Sequence, residues 1–485
     1  MRTLALLLMS LITAAAFAGQ TVRIATVDGG VDLTHPSLEQ FKWVNEAEEA
    51  GEAGVDDDGN GYKDDVNGYN LVGGNAELFP YASLPPEETF VLAIEGFDLL
   101  MRLNAGQELS VPEKTLLEER LPLVKRHLVP ILGGMHGTHV SGIMAAENED
   151  LEIVGVKILA ESASEEITYP GMFKGAEVFN KLLGLLIAIF TVTPDKLVAE
   201  LRNHYETQQR PFLEQIGSYL AKQQVRVANC SWGEGEKDFL NMLKQQFPHI
   251  YINASARETV IRGYRTILAE VYPVMTKAAP ATLFVMAAGN SAIDNDQMMT
   301  MPANIAADNK ITVACLNAAL DGVASFSNTG AEMVEIAAPG ELIRSATPYG
   351  KSVLMSGTSM AAPFVSKVAS MVLQANPALT PAKVKRILMD TADQKKFLRG
   401  KVKSGAVNLE RAVEAATKSA EMELEEAIAA AREEIPAEPE AEGFLLRGTG
   451  AISQLSVETM IAGGYQRGQA EEITRLLERV RRVIY

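Results

Sequence analysis

Residues 21–27 read TVRIATV, a largely β-branched and apolar run that is followed directly by the carboxylate of Asp28. Such a run, without regular polar alternation, is typical of a strand buried on both faces of a parallel sheet. Similar runs recur later in the chain, at residues 226–230, 282–287, 311–315 and 334–337. The chain is therefore predicted to fold around a parallel sheet.

Helical patterns lie between these strands. The amphipathic segment 212–224 leads directly into the strand at 226–230, and the segment 258–275 leads into the strand at 282–287. Strands that alternate with helices indicate an α/β protein. We predict an α/β fold with a doubly wound, mostly parallel sheet.

Two helical segments are predicted insertions into this fold. Residues 71–132 contain leucine-rich helical patterns, and residues 161–210 contain the apolar run 182–192. That run is too short to span a bilayer, so we expect a buried helix there. Residues 19–415, with both insertions, are predicted to form one domain.

The C-terminal part of the chain differs in charge from this domain. Residues 416–442 are rich in glutamate and end in IPAEPEAE, which predicts an acidic helix that becomes a linker. Residues 443–485 are richer in arginine and end in an amphipathic pattern at 470–483. We predict a small C-terminal helical appendage.

The first eighteen residues have the features of a secretory signal peptide. Arg2 supplies a positive charge, an apolar stretch follows, and Ala16-Phe17-Ala18 forms a small-residue cleavage site. We expect a mature chain that begins near Gly19 and is secreted or periplasmic. A membrane anchor is the alternative, and the short apolar stretch argues against it. No stable membrane span is expected after cleavage.

Composition restricts the choice of partners. The net charge of −18 argues against nucleic acid, because phosphate binding requires an excess of Lys and Arg.

Both cysteines, Cys230 and Cys315, lie in apolar strand-like runs and are interpreted as buried small hydrophobic residues. A disulfide between them stays open, because two cysteines give no framework from which to argue. The oligomeric state is not predicted.

Ser359 is the candidate nucleophile. It lies in GTSMAAP, residues 357–363, before an apolar helix of small residues that is expected to continue to about Ala375. A serine hydroxyl requires a base, and the free N–H groups at a helix start favour a developing oxyanion. The alternative is a tightly packed core helix with a serine N-cap.

His136 is the candidate general base. In HGTHV, residues 136–140, it is predicted to open a helix, from which its ring can reach outward. The alternative is a metal pair with His139, but two histidines without a third ligand are weak evidence for zinc. His139 is therefore interpreted as structural.

Asp28 and Asn290 complete the candidate site. Asp28 ends the first strand, and open α/β sheets place their active sites at the carboxyl ends of their strands. There the carboxylate would fix the imidazole tautomer and stabilise the imidazolium. Asn290, in AAGN after another strand, carries an amide that can donate to an oxyanion. For each residue the alternative is an ordinary turn.

Together these motifs, in the chain order Asp28, His136, Asn290 and Ser359, resemble the subtilisin-like serine proteases, or subtilases. The segments NCSWG (229–233), FSNTG (326–330) and APG (338–340) also resemble that family. The resemblance covers about residues 21–413 apart from the insertions. It implies a subtilisin-like sheet and a serine endopeptidase that acts on protein or peptide substrates.

The resemblance also implies a role for each residue. Ser359 attacks the peptide carbonyl, His136 transfers the proton and Asp28 orients His136, while Asn290 and the Ser359 N–H hold the oxyanion. An extended peptide would add a strand beside the chain. The residues expected to contact it are Ser231, Trp232 and Gly233 on one side, and Ala287, Ala288 and Gly289 on the other.

Two other functions compete with that of an active endopeptidase. A catalytically silent relative is disfavoured because none of the four motif residues is replaced. An esterase of the α/β-hydrolase type is disfavoured because the G-x-S-x-G pattern is absent around Ser359.

A calcium site is predicted in DDDGNGYKDD, residues 56–65, which matches the start of an EF-hand-type loop. The twelfth place is Asn67 instead of Glu, so a closing ligand must come from elsewhere. The predicted ligands offer side-chain or backbone oxygens: Asp56, Asp58, Asn60, Tyr62, Asp64 and, as the closing candidate, Asp65. Such loops resemble those of calcium-stabilised subtilases. The alternative is a solvated acidic turn.

The nine or so residues between Gly19 and Asp28 leave no room for the N-terminal propeptide that is common in secreted subtilases. The hypothesis is that an insertion or the C-terminal appendage takes over folding assistance or inhibition.

Overall fold

The computed structural model describes residues 21–79, 81–159, 192–437 and 467–483. The predicted signal peptide lies outside the described residues, as does the apolar run 182–192 except for its last residue. Within the described part, none of the helices has both the length and the apolar character that a membrane crossing requires.

Seven parallel strands form the central sheet, in the order β2-β3-β1-β4-β6-β8-β9. They are β1 (Val22–Asp28), β2 (Gly68–Asn70), β3 (Leu151–Lys157), β4 (Val227–Cys230), β6 (Leu283–Ala287), β8 (Lys310–Leu316) and β9 (Ile336–Pro339). Two small antiparallel pairs are β5 (Glu234–Gly235) with β7 (Thr300–Met301), and β10 (Ile343–Thr347) with β11 (Lys351–Met355). The predicted α/β fold is confirmed.

Helices cover both faces of the sheet. Before β6 they are α1 (Glu46–Ala50), α2 (Glu87–Asn104), α3 (Val111–Ala145), α4 (Pro194–His204), α5 (Arg210–Lys222), α6 (Glu236–Gln246), α7 (Pro248–Ile252), α8 (Ala254–Val271) and α9 (Pro273–Ala278). After β9 they are α10 (Thr358–Ala375), α11 (Pro381–Asp390), α12 (Leu409–Lys418), α13 (Leu424–Glu434) and α14 (Arg467–Val483). Short 3-10 turns lie at Glu39–Phe41, Tyr81–Ser83 and Lys396–Leu398, and a π turn at Tyr205–Gln209.

The burial of β1 explains why its sequence is apolar throughout. Ile24 packs into the hydrophobic cluster on one face of the sheet, and Ala25 and Val27 pack into the cluster on the other. All three side chains are fully buried. Because β3 and β4 pair with opposite edges of β1, the chain changes direction there, and such a point opens a crevice at the carboxyl ends of the strands.

The prediction that His136 opens a helix is wrong. His136 lies well inside α3, a 35-residue helix that begins after Ser110. The Glu113 carboxylate accepts a hydrogen bond from the Ser110 N–H at 2.7 Å, which caps the start of the helix. The predicted insertion at 71–132 therefore contributes the first part of the helix that carries His136.

Packing against α2 and the segment before it supports α3, including at Gly134, where a Cβ atom would lie 2.7 Å from Leu84 Cδ2. The buried side chains of α3 recur every three or four residues and form a stripe: Leu117, Leu121, Val124, Leu128 and Leu132. A Cβ atom on Gly96 of α2 would lie 2.6 Å from the Cβ atom of Arg120, so the two helices approach closely there. Tertiary contact thus outweighs the low helix propensity of glycine.

Helices after residue 415 pack on the domain that was predicted to end there. Helix α13 packs on α12, and Arg411 of α12 donates through Nε to the Ile435 carbonyl at 2.9 Å. Helix α14, from the predicted appendage, contacts α2 and α3 and buries Ile473, Leu476 and Leu477. An ion pair between Lys125 and Glu472 adds to that contact. The helix of the predicted appendage and the helices of the predicted first insertion therefore pack together.

Both cysteines are buried and free, Cys230 at the end of β4 and Cys315 in β8. This agrees with their interpretation as small hydrophobic residues.

Truncation of the buried Leu476 side chain should destabilise the protein. We expect Leu476→Ala to lower the free energy of unfolding by about 2–5 kcal/mol, because a buried leucine leaves a cavity. The exposed neighbour provides the control, and Arg475→Ala should change the stability by less than about 0.5 kcal/mol. Denaturant unfolding measures both changes. Equal stabilities of the two variants would contradict the packing of α14.

Candidate active site

Asp28 and His136 meet at the carboxyl end of β1. Both carboxylate oxygens of Asp28 lie 2.9 Å from Nδ1 of His136, although the residues are 108 positions apart. The Gly29 N–H also donates to Asp28 Oδ1 at 2.8 Å. Because a carboxylate accepts hydrogen bonds, this contact places the imidazole proton on Nδ1 and leaves a lone pair on Nε2. The Nε2 atom is buried and has no hydrogen-bond partner among the described residues.

Three residues of HGTHVSG fix α3 against β1. A Cβ atom on Gly137 would lie 2.1 Å from the Gly30 carbonyl oxygen, so only glycine allows this approach. Thr138 Oγ1 accepts from the Asp32 N–H at 2.9 Å. The hydroxyls of Thr26 and Ser141 lie 2.7 Å apart. These contacts determine where His136 stands relative to Asp28.

His139 has a structural environment, as the sequence predicted. Its Nε2 atom lies 3.1 Å from the Ile343 carbonyl and 3.0 Å from the Val353 carbonyl, so it donates to both and ties α3 to the β10–β11 hairpin. Complete burial lowers the pKa of His139 to about 3, which keeps the ring neutral. With Nε2 protonated and directed at carbonyls, the geometry does not support a metal pair with His136.

Ser359 is the second residue of α10 and is completely buried. Its Oγ donates to the Ser231 carbonyl at 3.2 Å, and Ser231 Oγ donates to the Ser359 carbonyl at 2.9 Å. The hydroxyl is therefore not hydrogen-bonded to His136 in this structure. Nucleophile–base contacts are often loose without substrate and tighten when it binds.

Asn290 follows β6 and is held by the residue that precedes Ser359. Its Oδ1 atom accepts from the Thr358 N–H at 3.0 Å and from Thr358 Oγ1 at 3.1 Å. This contact identifies the amide oxygen and leaves the amide nitrogen without an acceptor within the described part of the chain. The free amide N–H groups can therefore donate to another group.

Asn328 supports the loop that presents Asn290, and sequence reasoning gave it no role beyond membership of FSNTG. Its amide donates to the Ala288 carbonyl at 3.0 Å and accepts from the Ser291 N–H at 2.9 Å. Gly289, with φ of 108°, lies between these contacts, and a Cβ atom there would lie 2.4 Å from the Asn328 amide nitrogen. The sequence does not show that Asn328, a loop residue, is buried.

The residues predicted to bind substrate lie at the carboxyl ends of two neighbouring strands. Ser231, Trp232 and Gly233 follow β4, while Ala287 ends β6 and is followed by Ala288 and Gly289. Since β4 and β6 are neighbours, the two stretches lie side by side at the carboxyl ends of these strands. Most of these side chains are buried, and Gly233 is half-buried.

The acidic loop brings together only some of its predicted ligands. Carboxylate oxygens of Asp58, Asp65 and Glu48 lie within 4.8 Å of one another, and the Asn60 amide donates to Asp58 at 2.9 Å. Asp65 is completely buried, and burial raises its pKa to about 6. Glu48, in α1, was not predicted, because nothing distinguishes it from neighbouring glutamates in the sequence.

The other predicted ligands have different contacts. The Asp56 carboxylate accepts from the Asn60 and Gly61 N–H groups, which closes the turn. The Asp64 carboxylate accepts from the Gly54 N–H at 2.9 Å. The ring of Tyr62 packs edge-on against Tyr219, while the predicted ligand atom of this residue, its backbone carbonyl oxygen, stays a prediction. Three clustered carboxylates are the kind of donor set that a hard cation such as calcium prefers.

Comparison with known proteins identifies the family. A sequence model of the subtilase family (Peptidase_S8) matches residues 129–415. Subtilisin-like protease 1 of Plasmodium falciparum is 24% identical over 408 residues, which cover 82% of this chain and 44% of that protein. Alkaline serine exoprotease A of Vibrio alginolyticus is 38% identical over 109 residues, 22% of this chain and 19% of that protein. The chain spans about half the length, or less, of these curated relatives.

Solved structures of similar proteins include a cold-adapted subtilisin-like serine proteinase, 20% identical, with a TM-score of 0.40 over 80% of this chain and 90% of its own. A structure of the subtilase cytotoxin SubAB is 16% identical, with a TM-score of 0.46 over 84% of this chain and 93% of its own. Because the family model covers more than half of the sequence, the chain belongs to the subtilase family.

Proposed function

We propose that this protein is a serine endopeptidase that hydrolyses peptide bonds through an acyl-enzyme intermediate. The observation that carries the proposal is the contact of both Asp28 oxygens with Nδ1 of His136, which leaves a buried Nε2 without a partner among the described residues. An imidazole held in this tautomer is ready to accept a proton. Membership of the subtilase family supports the same activity.

The first step is the transfer of the Ser359 proton to Nε2 of His136. For this transfer, Ser359 Oγ must leave the Ser231 carbonyl, to which it now donates. As Oγ forms a bond with the peptide carbonyl carbon, the carbonyl π electrons move to oxygen. The carboxylate of Asp28 stabilises the imidazolium that results.

The oxyanion is stabilised by two donors from different elements. One is the free amide N–H of Asn290, whose orientation is fixed by Thr358. The other is the Ser359 N–H, which lies in the first turn of α10, where N–H groups lack intrahelical acceptors. The oxyanion then re-forms the carbonyl while the C–N bond breaks, and the imidazolium of His136 protonates the leaving amine, which leaves an acyl-enzyme. Water next gives a proton to His136 as it attacks the acyl carbon, and the second tetrahedral intermediate releases the acid as the Ser359 oxygen takes that proton back.

Substrate binding should itself release the nucleophile. An extended peptide along residues 231–233 would donate an N–H to the Ser231 carbonyl, which now accepts from Ser359 Oγ. Competition for this acceptor frees the hydroxyl for His136. Ala287, Ala288 and Gly289 would form the opposite wall, around the residue that precedes the cleaved bond.

Secretion or export to a periplasm is part of the proposal. It is supported by Arg2, the apolar stretch after it and the cleavage site at residues 16–18.

We also propose a structural calcium site formed by Glu48, Asp58 and Asp65. The support is the close approach of their oxygens and the complete burial of Asp65, whose charge would be neutralised by a cation. When bound, the ion would link α1 to the loop at residues 56–65. Asn60, which contacts both Asp58 and Asp65, would orient their carboxylates.

The catalytic proposal predicts the loss of covalent labelling in a serine variant. A fluorophosphonate probe should label the parent but not Ser359→Ala, because the probe reacts only with an activated serine. Asp28→Asn should lower kcat by about 10⁴-fold, since the wrong imidazole tautomer is favoured. The exposed Ser255 gives the control, and Ser255→Ala should label like the parent. Labelling of Ser359→Ala would overturn the assignment.

The amide of Asn290 should act mainly on the transition state. We expect Asn290→Ala to lower kcat for peptide hydrolysis by about 10²–10³-fold with a much smaller change in KM. Steady-state kinetics on one peptide measure this difference. Asn203→Ala, at an exposed position of α4, serves as the matched control. An unchanged kcat in Asn290→Ala would rule out its role as the oxyanion donor.

Calcium should raise the unfolding temperature relative to a chelator. A free concentration near 100 times Kd corresponds to about 2.7 kcal/mol of stabilisation. Asp65→Asn should lose most of this shift, because it removes a buried ligand charge. Asp308→Asn, an exposed position outside the acidic loop, should keep it. Equal melting temperatures of the parent with calcium and with chelator would disprove the site.

A further inference from the structure

The hairpin formed by β10 and β11 leads directly to the nucleophile. Strand β11 is followed by Ser356 and Gly357, and then by α10, whose second residue is Ser359. Ser356 Oγ accepts from the Leu342 N–H at 2.9 Å. The Gly357 N–H donates to the Gly340 carbonyl at 2.9 Å. Because the connection is short and held by hydrogen bonds, a displacement of β11 would be transmitted to the start of α10.

The same hairpin is attached to the helix that carries the general base. In α3, shortly after His136, the ring of His139 donates to the carbonyls of Ile343 in β10 and Val353 in β11. In return, Ser345 Oγ of β10 donates to the His139 carbonyl at 2.8 Å. The hairpin therefore links α3 to the start of α10, and its position contributes to the separation of the general base from the nucleophile.

Asp98 of α2 binds both strands of this hairpin with one carboxylate. Its Oδ1 atom accepts from the Leu354 N–H of β11 at 2.6 Å, and its Oδ2 atom accepts from Nη2 of Arg344 in β10 at 2.5 Å. Leu354 and Arg344 are paired across the hairpin. The Arg344 side chain is 49% exposed, against 21% for Asp98. Because an ion pair with an exposed arginine contributes little, the hydrogen bond to the Leu354 backbone is the contact that fixes β11.

Further contacts connect the segment before Asp98 to the turn of the hairpin. The hydroxyl of Tyr349 donates to the Pro85 carbonyl at 3.0 Å. The ring of Tyr349 packs edge-on against Phe90, with 5.3 Å between the ring centroids. The segment 85–98, from the predicted first insertion, therefore contacts the hairpin both at its turn and in β11. It lies outside residues 129–415, which the subtilase family model matches.

We propose that Asp98 is a positioning residue for the nucleophile Ser359. The inference rests on the proposed endopeptidase function. Asp98 holds β11 against α2, and α2 packs on α3, so the carboxylate keeps the start of α10 at the separation from His136 that proton transfer requires. A displacement of about 1 Å between reacting groups can cost about 10²-fold in rate, even when its cause lies far from the chemistry. Loss of this contact should slow catalysis more than it weakens substrate binding.

The test is the effect of Asp98→Ala on the steady-state kinetics of peptide hydrolysis. We expect kcat to fall by about tenfold and KM to change by less than about twofold, because the serine is displaced while the residues that bind substrate keep their places. Fluorophosphonate labelling at completion counts the active sites, so kcat is compared per active molecule. Glu88→Ala, at an exposed position of the same helix, should keep the kcat of the parent. An unchanged kcat in Asp98→Ala would overturn the proposal.

Two further variants separate the backbone hydrogen bond from the ion pair. Asp98→Asn should recover most of the kcat, because its amide oxygen can still accept from the Leu354 N–H. Arg344→Gln should also keep the kcat, because it removes only the exposed ion pair. If Asp98→Ala fails to fold, Asp98→Ser takes its place, since the serine hydroxyl is one atom shorter than the carboxylate. An Asp98→Asn variant as slow as Asp98→Ala, or an equal loss in Arg344→Gln, would contradict the role of the backbone contact.

Hydrogen exchange separates this inference from the proposed function. The amides of residues 355–361 report on the start of α10 whether or not the protein cleaves peptides. They should exchange faster in Asp98→Ala than in the parent, while Glu88→Ala should exchange like the parent. Equal exchange in Asp98→Ala and the parent would overturn the positioning role. If the parent cleaves no peptide and reacts with no fluorophosphonate, the endopeptidase proposal fails, and faster exchange would still support the link from Asp98 to Ser359.

Discussion

The contact between the end of β1 and the interior of α3 determines the rest of the site. Gly137 permits this approach because any side chain there would collide with the Gly30 carbonyl. The hydroxyl pair of Thr26 and Ser141 then fixes the helix along the strand. Only with the helix in this position can both oxygens of Asp28 reach Nδ1 of His136.

The segments that the sequence predicts to be additions to the fold pack on the same helix. The predicted first insertion contains α2 and the part of α3 before residue 132, and α14 from the C-terminal part packs on both helices. The imidazole is therefore carried by a helix that is supported along its length. The other half of the site depends on α10 and on the loop after β6, where Thr358 and Asn328 hold Asn290 and its neighbours. Both parts of the site thus lie at the carboxyl ends of strands of one sheet.

Much of this arrangement could be predicted from the sequence. Buried parallel strands produce continuous apolar runs, so the strands and the polar residues at their ends, such as Asp28, were identifiable. The start of α3 was predicted wrongly because the helical pattern before residue 132 was assigned to a separate insertion, whereas one helix continues through the glycines to His136 and beyond. Glu48 and Asn328 were missed because their importance comes from burial and from long-range partners.

The proposed mechanism requires Asp28 to fix the tautomer of His136. The nitrogen NMR spectrum of histidine-labelled protein tests it most directly, and with six histidines in the chain the His136 signals can be assigned through His136→Gln. At a pH where the imidazole is neutral, we expect a protonated Nδ1 and an unprotonated Nε2, with the preference lost in Asp28→Ala. A proton on Nε2 in the parent, or identical spectra for the parent and Asp28→Ala, would contradict it.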